Sequence, residues 1–175
     1  MEKQDFKKFV LCLMKASEKI DANYFKLPVS EGESTYRERV YCYELYHQLR
    51  CTLGDSFPYK LNGEVDKIDH PIIKKAKKPD FIFHIPGSMK HNFVVIEVKP
   101  ITVKDEINEL KKDIQKLKYF LNKVRYYRAI IIVYGNLNDI TLPQNIKMEI
   151  ESISDKRIMV LWHREPHETP EIIRG

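Results

Sequence analysis

Phe6, Phe9, Val10, Leu13 and Met14 return every three or four positions, a spacing that predicts an amphipathic helix over roughly residues 3–20. The following stretch from Pro28 to Ser34 is mostly polar, contains Gly32, and reads as a loop. Thr35 with Glu38 three positions on has the capping-box pattern. A second helix is therefore expected from near Thr35 through Arg50, until Gly54 and Pro58 stop it. Its apolar face carries Tyr41, Cys42, Leu45 and Leu49, and a turn of about 100° per residue sets Glu44 near the edge of that face.

Three strand-like runs come next, Tyr59 to Val65, Asp80 to Ile85 and Asn92 to Val98, the last two separated by the turn pair Pro86-Gly87. So short a link predicts a hairpin. A long amphipathic helix is expected over roughly 103–124, with Ile107, Leu110, Ile114, Leu117, Leu121 and Val124 on one stripe. Ala129 to Tyr134 is too continuously apolar for a half-exposed strand and suits a central one buried on both faces. Ile158 to Trp162 is a further strand, followed by a tail over 164–175 that contains Pro166 and Pro170 and is expected to lie loosely on the surface. The order of elements predicts an α/β fold, a mixed sheet with helices packed on it.

Composition narrows the class. A chain of 175 residues, 43% hydrophobic and 31% charged, fits one folded domain spanning 1–175. No apolar run approaches the roughly 20 residues that cross a bilayer, and Lys7, Lys8 and Lys15 interrupt the amino-terminal apolar stretch. Neither a membrane anchor nor a secretory signal is expected, which points to the cytoplasm. Cys12, Cys42 and Cys51 have no metal-ligand spacing and an odd count, so they read as reduced thiols. The formal net charge of +5 is locally concentrated, with Lys67, Lys74, Lys75, Lys77 and Lys78 crowded just before Asp80. Such a patch attracts polyanions by counterion release, although a solvated basic loop has the same composition.

The chemistry converges on Pro79-Asp80 at the start of one strand and Glu97-Val98-Lys99 at the end of the next. In an antiparallel hairpin those two ends lie side by side, so Asp80 and Glu97 meet despite 17 intervening steps of sequence. Side chains alternate along a strand, so Glu97 and Lys99 share a face and Val98 points into the core. Two converging carboxylates repel unless a cation neutralises them, and oxygen ligands suit a hard ion such as magnesium, with manganese able to substitute. The backbone carbonyl of Val98 is a candidate third ligand, and Lys99 supplies a fixed ammonium for charge developing on a phosphoryl group.

This arrangement resembles the PD-(D/E)XK, or restriction-endonuclease-like, nuclease superfamily, over roughly residues 35–135. The resemblance implies a four-stranded mixed sheet flanked by helices, here with an added amino-terminal helix and an extra carboxy-terminal strand. It also implies divalent-metal-dependent cleavage of DNA, or else RNA. Members often place a glutamate from the helix before the first strand at the metal, which points to Glu44. Glu38 is the competitor, but the capping box already accounts for it, and Glu64 on the neighbouring strand is a third possibility. Gln115 and Tyr119 reproduce a Gln-x-x-x-Tyr spacing found in exonuclease-type members, yet Gln115 falls roughly 130° from the apolar stripe and is expected to face solvent.

Plainer readings stand beside these. Asp80 is also a common strand-start residue, and Glu97 with Lys99 could form a solvated ion pair. His84 shares parity with Asp80 but lies about 13 Å along the strand, so a structural hydrogen bond is its default. Tyr36, Tyr41, Tyr43 and Tyr46 could stack on unpaired bases but fit helix packing, and Trp162 fits the core. The primary expectation is a metal-dependent nuclease whose sequence preference, if any, comes from loops, a homodimer or a partner protein. The rivals are a catalytically silent nucleic-acid-binding or scaffolding module and an enzyme acting on a small phosphate ester.

Overall fold

The computed structural model describes residues 2–63, 78–88, 90–101, 106–136 and 141–175. Its elements in chain order are α1 (Glu2–Glu18), α2 (Ala22–Phe25), β1 (Leu27–Ser30), β2 (Glu33–Thr35), α3 (Glu38–Leu53), β3 (Lys60–Gly63), β4 (Phe81–His84) and β5 (Asn92–Pro100). There follow α4 (Glu106–Tyr119), which runs on into a π-helical turn at Phe120–Val124, β6 (Arg128–Tyr134), α5 (Gln144–Glu151), β7 (Ile158–His163) and β8 (Glu171–Arg174). Glu64, Val65, Lys67, Lys74, Lys75 and Lys77 lie outside the described residues.

The strands β3 to β8 form one mixed sheet in sequence order. β3, β4 and β5 pair antiparallel, β5, β6 and β7 run parallel, and β8 returns antiparallel. The parallel step from β5 to β6 needs a crossover, and α4 supplies it. Both sheet faces are covered. α1 and α3 bury Phe9, Leu13, Tyr41 and Leu45 against Phe83, Ile96, Val98 and Ile132. On the opposite face, α4 and α5 bury Leu110, Ile114, Leu117 and Ile146 against Ile82, Val95, Ile131 and Val133. This double cover explains why Phe93 to Ile96 and Ala129 to Tyr134 are apolar at every position rather than alternately.

The α/β class and the mixed sheet with packed helices are as expected, and several local readings are corrected. The presumed loop at Pro28 to Ser34 is a hairpin, because Glu31 (φ 46°) and Gly32 (φ 84°) make the two-residue left-handed turn that matches strand twist. Thr35 ends β2 instead of capping α3. The helix begins at Glu38 behind Arg37, whose side chain makes no cap hydrogen bond, so no capping box forms. The tail is not loose. β8 pairs with β7, and the Arg174 guanidinium donates to the carbonyls of Ile158 at 2.7 Å and Ile153 at 2.6 Å. No helix among the described residues is long and apolar enough to cross a membrane.

Charged donors to buried carbonyls contribute more than neutral ones, so Arg174→Ala should lower stability by about 2 kcal/mol in urea unfolding. An unchanged midpoint would show that the carboxy-terminal strand is not docked as described.

Candidate functional site

Phe81 pairs with Ile96 across β4 and β5, so Asp80, one residue earlier, stands opposite Glu97. Directly opposed residues in an antiparallel ladder share a sheet face. Ile82 and Val95 have the same parity and sit in the core beneath α4, which fixes that face as the one carrying Asp80, Glu97 and Lys99. Val98 points the other way and is 1% exposed, within the core under α1 and α3. Its N–H donates to Asp80 Oδ2 at 2.7 Å, tying the start of β4 to the end of β5.

Glu97 is 2% exposed. Its Oε2 pairs with Lys116 Nζ at 2.6 Å, whereas its Oε1 is buried without a hydrogen-bond partner among the described residues. Lys99 Nζ lies 3.0 Å from Glu38 Oε2 and 3.2 Å from Asp113 Oδ2. Asp113 Oδ1 is in turn 3.2 Å from Lys116 Nζ. Three elements therefore feed the cluster: the β4–β5 pair, the first turn of α3 through Glu38, and one turn of α4 through Asp113 and Lys116.

The electrostatics follow from burial and an excess of acids. Burial pushes Asp80 up to about 6 against the lowering effect of the Val98 N–H, and Glu38 adds to the rise. Glu97 is held well above the usual carboxylate range by burial first and by Asp80 second, with Lys116 opposing. Burial would lower Lys99 and Lys116, but Asp113 and Glu38 outweigh it for the first and Glu97 and Asp113 for the second, so both ammonium groups are stabilised. Among the described residues, four carboxyl groups (Glu38, Asp80, Glu97, Asp113) face two ammonium groups, Lys99 and Lys116. The acids thus outnumber the ammonium groups among the described residues, and although Glu38 is partly exposed, Asp80 and Glu97 are deeply enough buried that their charge calls for protons or a cation.

Asp80 and Glu97, with the unpartnered Oε1, fit a hard divalent ion in charge and donor type. Among the described residues no group of three or more His, Cys, Asp and Glu side chains is arranged to hold a metal ion. Backbone, water or substrate oxygens would have to complete its shell.

The remaining candidates are placed as follows. Glu38, not Glu44, reaches Lys99; the Glu44 carboxylate accepts from Gln48 Nε2 at 2.6 Å one turn along α3. Glu64 lies outside the described residues. His84 shares a hydrogen bond with Asn62 Oδ1 at 2.8 Å. Gln115 is exposed. Tyr41 is buried with its hydroxyl 2.9 Å from His163 Nδ1, Tyr36 bonds to the Asn136 backbone, and Tyr46 stacks on Phe81, while Tyr43 is exposed. Trp162 is buried and donates to the Gly135 carbonyl at 3.0 Å. Sequence reading missed Asp113 and Lys116. The available signal was an acid within the apolar stripe of α4, flanked by Leu110, Ile114 and Leu117, with a lysine three positions on.

Because Asp80 and Glu97 keep their protons to higher pH in the folded chain than in the unfolded one, the native state binds more protons from about pH 4 upward. The stability these groups contribute is present at low pH and is lost as pH rises, through about 6 for Asp80 and through a likewise raised value for Glu97. Asp80→Asn keeps an acceptor for Val98 and should stabilise the metal-free protein by on the order of 2 kcal/mol above neutrality, and hardly at all near pH 4. Thermal unfolding in chelator at the two pH values checks this. Equal stability of variant and wild type in alkali would contradict the buried-charge description.

No protein-family model, curated protein or solved structure matches the chain.

Proposed function

We propose that the cluster is the catalytic centre of a divalent-metal-dependent nuclease that hydrolyses phosphodiester bonds, of DNA ahead of RNA. The observation that carries this reading is the opposition of Asp80 and Glu97 on one sheet face, with Lys99 on the same face and a buried Glu97 oxygen that has no hydrogen-bond partner among the described residues. The order of α3, the β3–β5 antiparallel strands, α4 and β6, with Asp80 before β4 and Glu97 and Lys99 late in β5, is also what the PD-(D/E)XK resemblance implies.

In this reading Asp80 and Glu97 hold magnesium or manganese, with the Val98 carbonyl as a further candidate. The bound ion would lower the pKa of a water and screen the phosphate. Glu38 and Asp113 fix the Lys99 ammonium from two sides, so its donors are oriented before substrate arrives. A pre-set cation of this kind stabilises charge developing on a phosphoryl oxygen without reorganising at the moment of reaction. The burial that raises Asp80 and Glu97 also removes competing water, which strengthens every charge interaction at the site.

One observation favours a second reading. Lys116 already neutralises one oxygen of Glu97, as a binding or scaffolding module without turnover would require. Incubation with plasmid, single-stranded DNA and RNA in magnesium or manganese separates the two. Cleavage is expected, lost in chelator and reduced on the order of 100-fold or more in Glu97→Ala and Lys99→Ala. Binding with no metal-stimulated cutting of any substrate would favour the module.

A further inference from the structure

Lys116 stands against the carboxylate that the metal-dependent reading gives to a divalent ion. Its ammonium is 2.6 Å from Glu97 Oε2, and its side chain is only 22% exposed against the buried Glu97. The same nitrogen is 3.2 Å from Asp113 Oδ1, three residues earlier on α4. Glu97 therefore has one oxygen committed to an internal cation and one without a hydrogen-bond partner among the described residues. A tethered ammonium at this range is always at high local concentration, so it neutralises Glu97 whenever nothing better does.

A divalent ion and an ammonium cannot both sit against one buried carboxylate without strong mutual repulsion. Asp113 offers the ammonium a second acceptor within the same cluster. Resting on the metal-dependent reading above, we infer that Lys116 is a built-in counter-ion, held on Glu97 in the metal-free protein and transferred to Asp113 when a divalent ion loads. The exchange makes metal uptake a competition within the chain. It keeps Glu97 ordered and compensated until the ion arrives, and it leaves the displaced ammonium beside the site instead of in bulk water. A residue that only fastened α4 to β5 would give a different result, because its loss would loosen Glu97 and weaken metal binding.

Calorimetric titration of the full chain with manganese, without nucleic acid and at mildly alkaline pH, tests this. Lys116→Gln should bind manganese on the order of tenfold tighter than wild type, since the competitor is gone. Lys112→Gln is the charge control: Lys112 pairs with Glu109 at 2.6 Å on the exposed side of α4, and its variant should match wild type. Lys116→Arg keeps a competing cation and should bind no tighter than wild type. Wild-type binding with equal or weaker binding by Lys116→Gln would overturn the counter-ion role and leave the nuclease reading standing. Absence of binding in wild type and all variants would overturn both.

A second measurement does not depend on the glutamine variant folding. In protein labelled with 15N-lysine, the Lys116 ammonium signal, identified by its loss in Lys116→Arg, should shift on saturation with magnesium. A signal that stays unchanged while magnesium binds would show that the ammonium never leaves Glu97, and the inference fails.

Discussion

Two acidic side chains face each other across β4 and β5 because the ladder pairs Phe81 with Ile96, and everything else at the site answers the cost of that arrangement. Charge buried without compensation is among the most destabilising features a fold can carry. Here it is met in three ways at once: the Val98 N–H on Asp80, the Lys116 ammonium on Glu97, and raised proton affinity at both carboxyls. Shifting the hairpin register by one residue would turn Asp80 and Glu97 to different faces and dissolve the cluster.

The surrounding fold keeps that register. Phe81 and Phe83 on β4, with Ile96 and Val98 on β5, are anchored under α1 and α3, while Ile82 and Val95 are anchored under α4 and α5. A slip would exchange the members of two well-filled cores. The same packing brings in the other charges. α4 lies on the sheet through Leu110, Ile114 and Leu117, so Asp113 and Lys116 are carried over the end of β5. Packing of Tyr41 and Leu45 similarly carries the first turn of α3, and hence Glu38, to Lys99. Hydrophobic burial in the two cores offsets the cost of placing these charges under the helices.

What was legible in the sequence was what periodicity encodes. The link around Pro86 and Gly87 and the alternation along β5 sufficed to bring Asp80 to Glu97 and to separate Val98 from them. The continuous run in β6 marked a strand covered on both sides. What escaped depended on contacts distant in sequence or on weak local signals. β8 is held by Arg174 reaching the carbonyls of Ile153 and Ile158, which no local pattern announces. α5 shows only Ile146 and Ile150 as buried apolar anchors, too few to declare a period. The spacing from Thr35 makes Glu38 look like a capping residue, but Thr35 is drawn into β2 and the Glu38 carboxylate pairs with Lys99. Asp113 and Lys116 look like ordinary residues of a charged helix until that helix is set on the sheet.

In the proposed function Asp80 and Glu97 act as one cation-binding pair. Crystals soaked in manganese and measured at a wavelength where the metal scatters anomalously test it most directly. One dominant anomalous peak within coordination distance of both carboxyl groups is expected. A protein that shows its manganese elsewhere, or shows none at that position, would contradict it.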